Sequence, residues 1–251
     1  MAAALVLAFV GGLVFGSFLT VVAHRVPRGE SVVGGRSHCP CCGAQIAAYD
    51  NVPVFSWLLL GGRSRCCGER ISPRYPLTEL ALGGLWVATV AVLWDDPTEV
   101  VLGLLFVTTL LAVTLTDLER RIIPNKILLV AAIAGVAVAA VGDPSSLPER
   151  AIAAAAGGGA LFLVALAYPR GMGLGDVKLT AVMGLFLGRN VAPAVLIALL
   201  AGSLVGLAMI ARQGAAARKQ AIPFGPFLAL GGVVGLLAGD QLVDLYLSTF
   251  S

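Results

Sequence analysis

Residues 100–116 read VVLGLLFVTTLLAVTLT, seventeen positions without a formal charge, and residues 117–121 follow as DLERR. An uncharged run of that length approaches the roughly 20 residues a helix needs to cross hydrocarbon. The abrupt charge cluster marks where it meets water. Seven further apolar runs lie at Ala2–Ala23, Leu77–Trp94, Ile127–Val141, Ala151–Tyr168, Leu179–Gly188, Val191–Ala211 and Ile222–Leu247. The whole composition agrees: 58% of the 251 residues are hydrophobic and 12% charged, against roughly a quarter charged in a soluble domain, and mean hydropathy is +0.93. A water-soluble globule, a disordered chain and a nucleic-acid-binding arm are thereby excluded. The expected fold class is an all-α polytopic membrane protein of about eight transmembrane helices with a small cysteine-rich cytoplasmic insert. Its surroundings are the lipid bilayer.

Basic residues set the orientation, because Lys and Arg concentrate on the cytoplasmic side. With the N-terminus outside, fifteen of the seventeen fall inside, and only Arg150 and Arg189 remain outside. Both termini are then expected to be non-cytoplasmic. The first run is too long for a signal-peptide core and lacks a basic n-region, so it should stay as a span. The chain divides into a first helix over 1–23, an insert over 24–76 and seven helices over 77–251. The run Leu179–Gly188 is about ten residues long, so it must tilt, extend into Leu174–Lys178, or be sheltered by its neighbours. Glycine clusters such as Gly157-Gly158-Gly159 and Gly231-Gly232 suit close helix packing. No fixed-period repeat is evident.

All five cysteines lie in the insert, as Cys39-Pro40-Cys41-Cys42 and Cys66-Cys67. Cys39 and Cys42 have the C-x-x-C spacing of a metal knuckle. Ser64 stands where the first cysteine of a second knuckle would be, and adjacent cysteines seldom serve one metal comfortably. The expected set is Cys39, Cys42 and Cys67, completed by Cys66, Cys41 or His38. A reducing cytoplasm disfavours stable disulfides, and an insert too small for a large core gains from a metal staple. The expected ion is a structural Zn²⁺, with no open catalytic position.

Acids near hydrocarbon are costly unless paired or functional. Asp95, Asp96, Glu99, Asp143 and Glu149 fall in outer loops and read as solvated; Asp240 and Asp244 read as interfacial; Glu79, at the inner end of its span, has Arg74 nearby. Asp117 and Asp176 differ. Asp117 ends the quoted run, and Asp176 closes Gly171-Met172-Gly173-Leu174-Gly175-Asp176, with glycines that allow close backbone approach. The topology puts both at one membrane depth. Two carboxyls about 3 Å apart share a proton and titrate as a pair. One can then act as general base on water while the other protonates the carbonyl oxygen or leaving amine.

These residues resemble those of the prepilin peptidases, or type IV leader peptidases, membrane aspartyl enzymes of the GxGD type. Gly173-Leu174-Gly175-Asp176 matches the GxGD element, and Gly175-Asp176-Val177-Lys178-Leu179 the family's G-D-x-K-L. Asp117-Leu118-Glu119 through Ile123-Pro124 is similar to its first aspartate motif, with Glu119 where a second Asp is common. Gly16-Ser17-Phe18-Leu19-Thr20-Val21-Val22 resembles G-S-F-L-N-V-V, with Thr20 in place of Asn. Arg36-Ser37-His38-Cys39-Pro40, Asn51-Val52-Pro53, Ser56-Trp57-Leu58 and Ile71-Ser72-Pro73-Arg74-Tyr75-Pro76 match in order, so the likeness runs from about Gly16 to Gly188.

The resemblance implies eight transmembrane helices, a cytoplasmic-face active site and Asp117 with Asp176 as the catalytic pair. It also implies removal of the basic leader from type IV prepilins or pseudopilins. In larger members it implies N-methylation of the new N-terminus from S-adenosylmethionine, an activity associated with the cysteine-bearing insert. Two other classes compete. An ion-coupled transporter would place its paired acids near mid-bilayer in a repeated architecture, and a non-catalytic scaffold would use only the insert.

Overall fold

The computed structural model describes every residue except Val33, Gly35, Arg36, Pro40, Arg170, residues 215–221, Phe250 and Ser251. Arg36, Arg170, Arg218 and Lys219 of the charge count, and Arg36 and Pro40 of the motif around Cys39, lie outside the described residues. The chain is all-α among the described residues: α1 Ala2–Arg25, α2 Phe55–Leu59, α3 Arg74–Val92, α4 Pro97–Arg120, α5 Asn125–Gly142, α6 Leu147–Ala167, α7 Leu174–Leu187, α8 Val191–Gln213 and α9 Gly225–Ser248. By length and composition seven stretches can cross a membrane. The sixth, Leu174–Gln213, is 40 residues long. A 3₁₀ turn at Gly188–Asn190 breaks it into α7 and α8, so eight long helices carry the eight apolar runs.

Two compact units emerge, Met1–Ala91 and Val92–Ser251. In the first, α1 and α3 pack backbone to backbone. A Cβ on Gly12 would lie 2.7 Å from the Gly83 Cα, and one on Gly16 would lie 2.7 Å from the Glu79 Cα. Such small-residue contact replaces the hydrophobic drive that lipid cannot supply.

In the second unit Leu102, Phe106, Leu110 and Val113 of α4, Leu179, Met183 and Phe186 of α7, Ala194 and Ala198 of α8 and Leu228 of α9 form one buried core. Phe106 and Phe186 stack with centroids 5.2 Å apart. Aliphatic residues such as Leu129, Ile133, Leu163, Leu200 and Leu204 point outward and are exposed, as a lipid-facing surface requires. The short run resolves itself in two of the expected ways at once. Helix α7 extends back to Leu174, and most of its residues are buried or half-buried by neighbours.

Candidate functional site

Asp117 sits in the last turn of α4. The helix stops at Arg121, which takes the left-handed conformation (φ 55°, ψ 41°) and donates its N–H to the Asp117 carbonyl at 2.8 Å. Asp176 lies in the first turn of α7, where its Oδ2 accepts the Gly173 N–H at 3.2 Å. Asp117 and Asp176 are 5% and 9% exposed, so both are buried acids. Their carboxyls stand within range of each other's charge.

Three contacts fix them. The Gly225 N–H, at the start of α9, donates to Asp117 Oδ2 at 2.9 Å. A side chain at 225 would push the Asp117 carboxyl aside, since its Cβ would fall 2.8 Å from that oxygen. Gly175 packs so tightly on Ile123 that a Cβ there would meet the Ile123 Cβ at 3.1 Å, which draws the start of α7 against the segment leaving α4. Lys178 Nζ donates to Asn125 Oδ1 at 3.1 Å, tying α7 to α5. Glu119 is exposed.

In the other unit the insert contains the repeat that inspection of the sequence missed. His38–Gln45 and Arg63–Arg70 each close with an antiparallel bridge between their end residues. Within them Cys39 N–H donates to Ala44 O and Ser64 N–H to Glu69 O, both at 2.8 Å. Gly43 N–H donates to Cys39 O and Gly68 N–H to Ser64 O, both at 2.9 Å. Gly43 and Gly68 share φ values of 71° and 72°. The two turns are one motif used twice, and Ser64 occupies the Cys39 position. The signal was present in the paired C-C-G triplets at 41–43 and 66–68.

Sγ atoms of Cys39, Cys42, Cys66 and Cys67 lie within 4.8 Å of one another, with Cys39–Cys67 at 3.6 Å and Cys42–Cys66 at 3.3 Å. Four thiolates around a tetrahedral Zn²⁺ at ~2.3 Å would have S–S edges of about 3.8 Å, so the donor set fits that ion. Cys41 and His38, the other candidates for the fourth position, stand outside the group. The adjacent Cys66 and Cys67 both join it because Cys67 takes the Cys42 place in the second turn and Cys66 reaches across to Cys42. The N–H groups of Cys42 and Cys41 pull the Cys39 thiol down to about 6. The Ser64 hydroxyl, 3.1 Å from Cys67 Sγ, holds that thiol below its ordinary range. Cys66 is pushed up to about 12, chiefly by its hydrogen bond with Cys42.

Glu79 is buried in α3, and its Oε2 accepts the Val54 N–H at 2.7 Å. The Thr20 hydroxyl is spent locally on Ser17 O at 2.7 Å.

Of the acids expected to be solvated, Asp95, Asp96 and Glu149 are exposed, whereas Glu99 is half-buried. Asp96 caps α4 through the N–H groups of Thr98 and Glu99. Glu99 pairs with Arg150, which is buried, and Glu149 accepts the Arg189 N–H at 3.1 Å. Asp240 binds Arg189 at 3.0 Å and Asn190 at 3.2 Å. The contacts of Glu99, Glu149 and Asp240 join residues 40 or more positions apart, so no local pattern announces them.

Fold and site together define a polytopic membrane protein in which one unit brings two buried carboxyls from separate helices near one another and the other carries a small cysteine-clustered insert. Residues 10–93 match the Bacterial Peptidase A24 N-terminal domain, and residues 104–211 match the Type IV leader peptidase family. The chain is 35% identical to the prepilin leader peptidase/N-methyltransferase of Aeromonas hydrophila over 97% of its own length and 94% of the relative's. Proteins of the same name from Bacillus subtilis (strain 168) and Burkholderia pseudomallei (strain 1026b) are 32% and 36% identical. They cover 95% and 94% of this chain, and 96% and 85% of the relatives. No solved structure gives a significant match. This chain belongs to the type IV leader peptidase family, and it is a membrane-embedded peptidase. The ion-coupled transporter reading finds no support in these likenesses.

Proposed function

We propose that this chain cuts the basic leader from type IV prepilins or pseudopilins at the cytoplasmic face of the bacterial inner membrane, using Asp117 and Asp176 as its catalytic pair. The observation that carries the reading is two buried carboxyls at the ends of two helices in one compact unit, near enough for the charge of Asp117 to act on Asp176. With Oδ2 of each held by a backbone N–H, the other oxygens are left to meet water and substrate. One carboxylate takes a proton from water as that water attacks the scissile carbonyl. The other, protonated, gives its proton to the carbonyl oxygen. As the tetrahedral intermediate collapses, the proton taken from water passes to the departing amine and a hydroxyl proton of the intermediate returns to the second carboxylate, which restores the starting state with no outside reactant.

The substrate suits the geometry. A prepilin has a basic leader ahead of an apolar helix, so its scissile bond sits at the inner interface. Charge placement puts Asp117 and Asp176 at that depth, with both termini on the opposite side. The division into a first helix (1–23), an insert (24–76) and a seven-helix peptidase region (77–251) follows the same placement. Cys39, Cys42, Cys66 and Cys67 would hold a structural Zn²⁺, which supplies cross-linking rather than reaction chemistry. The names of the relatives support a second activity, methylation of the new N-terminus from S-adenosylmethionine, for which no residue is assigned.

The test is cleavage of a prepilin in reconstituted membranes by wild type, Asp117→Ala and Asp176→Ala, read by mass spectrometry of the product N-terminus. Wild type should cut and both variants fail, and a product heavier by one methyl group would establish the second activity. Cleavage by either variant would overturn the dyad.

A further inference from the structure

Each carboxyl is held by a backbone N–H and not by the other carboxyl. The spacing must come from the helices that carry them. At the far ends of those helices stands Arg150, the most buried cation among the described residues of the second unit, with a side chain 8% exposed. Its guanidinium spreads over three helices. Nε donates to Ser146 Oγ at 3.0 Å, at the head of its own helix α6. Nη1 donates to the carbonyls of Phe186 at 2.7 Å and Leu185 at 3.2 Å, near the end of α7. Nη2 pairs with Glu99 in the first turn of α4. The planar fork of five N–H donors is what permits this simultaneous reach. A cation on the final carbonyls of α7 also complements that helix's dipole.

The same node holds the start of the next helix, since Glu149, the neighbour of Arg150, accepts the Arg189 N–H. Asp240 of α9 then binds Arg189 and Asn190. Helices α4, α7 and α9 supply Asp117, Asp176 and the Gly225 N–H respectively, and the opposite ends of α4 and α7 meet here with Asp240, about four turns along α9 from Gly225. Along α7 the node is roughly 15 Å from Asp176, and along α4 roughly 27 Å from Asp117, at the ordinary helical rise.

We propose that Arg150, with Glu99 as its partner, is a positioning residue that sets the spacing of the Asp117–Asp176 pair from the opposite end of the helices that carry them. The inference rests on the dyad reading given above. Removing one partner of a buried pair strands the other charge, so the variants are chosen in graded form: Glu99→Gln, Arg150→Lys, Arg150→Met and the double Arg150→Met/Glu99→Gln. Each is made in the full chain and reconstituted in membranes. Each is measured for kcat and KM of prepilin cleavage, for thermal unfolding, and for the distance between spin labels carried by unnatural amino acids at the exposed positions Leu118 and Leu174.

Glu99→Gln keeps the shape and should lower kcat about tenfold with KM unchanged, since small misplacements of reacting groups are costly. The spin-label distance should shift or broaden with it. Arg150→Lys should retain more kcat than Arg150→Met. Wild-type kcat and distance in folded Glu99→Gln and in the folded double variant would overturn the proposal. So would a loss of activity that follows only the loss of folded protein. Asp117→Asn, run alongside, separates the two readings: if it still cleaves, the dyad reading fails, whereas a dead Asp117→Asn beside a normal Glu99→Gln removes the positioning role alone.

Discussion

The cysteine cluster and the aspartate pair are assembled in opposite ways. Each cysteine turn closes through hydrogen bonds between residues no more than nine apart, and the two turns repeat one another bond for bond. The aspartate pair depends on contacts across the chain: Asp117 to Gly225 spans 108 positions, Lys178 to Asn125 spans 53, and Arg150 to Phe186 spans 36. A chelating site needs only donors at the right mutual distance, which a short loop supplies and an ion then tightens. A pair of like charges opposes its own assembly, so rigid elements must force it together. The first kind of site tolerates exchange of one donor for another. The second does not.

That contrast can be broken or sharpened by mutation. Asp117→Asn and Asp176→Asn should each reduce prepilin cleavage by about 10³-fold or more while membrane insertion is unchanged, as read by product mass and by extraction of the folded protein. Gly225→Ala places a methyl 2.8 Å from Asp117 Oδ2; kcat should drop by about ten- to a hundredfold with thermal stability little altered, in a steady-state assay.

Cys39→Ser removes the one buried thiol of the cluster. Metal content should fall, and methylation should suffer more than cleavage, measured by elemental analysis beside product mass. Cys66→Ser should weaken metal binding more mildly, and adding Ser64→Cys should restore it, because Ser64 occupies the Cys39 place in the second turn; a metal titration decides this. The smallest effect is expected at Asp50→Asn. That change removes the bidentate pair with Arg65, whose side chain is 61% exposed, and exposed pairs contribute little, so thermal unfolding should barely move.

Much of this was legible from residue order alone, for identifiable reasons. Uncharged runs are required wherever a helix meets lipid, so the eight long helices and even the awkward short one could be placed, with α7 starting at Leu174 as one of the expected options. Asp117 and Asp176 stood out because acids bordering hydrocarbon need a reason. Glu99 and Arg150 were misjudged for the complementary cause. Glu99 and Glu149 lie beside loops, and a one-dimensional pattern cannot tell a solvated carboxylate from one clasped by a residue 40 or more positions away. Ser64 already pointed to a second knuckle, but that the two turns share the same backbone hydrogen bonds is not visible in residue order.

One further detail concerns how the insert is attached to its helices. Val54 has φ 62° and ψ −52°, a conformation that a β-branched residue adopts only under constraint. Phe55 N–H closes the turn on Pro53 O at 2.6 Å, and the Val54 N–H is gripped by buried Glu79 of α3. A soluble module on a slack linker would tumble on its own, decoupled from the bilayer normal. Welded through Val54, the loop leading into α2 keeps the orientation of α3 and reorients only as fast as that helix does. Whatever the insert recognises must therefore approach it from a direction fixed by the membrane plane.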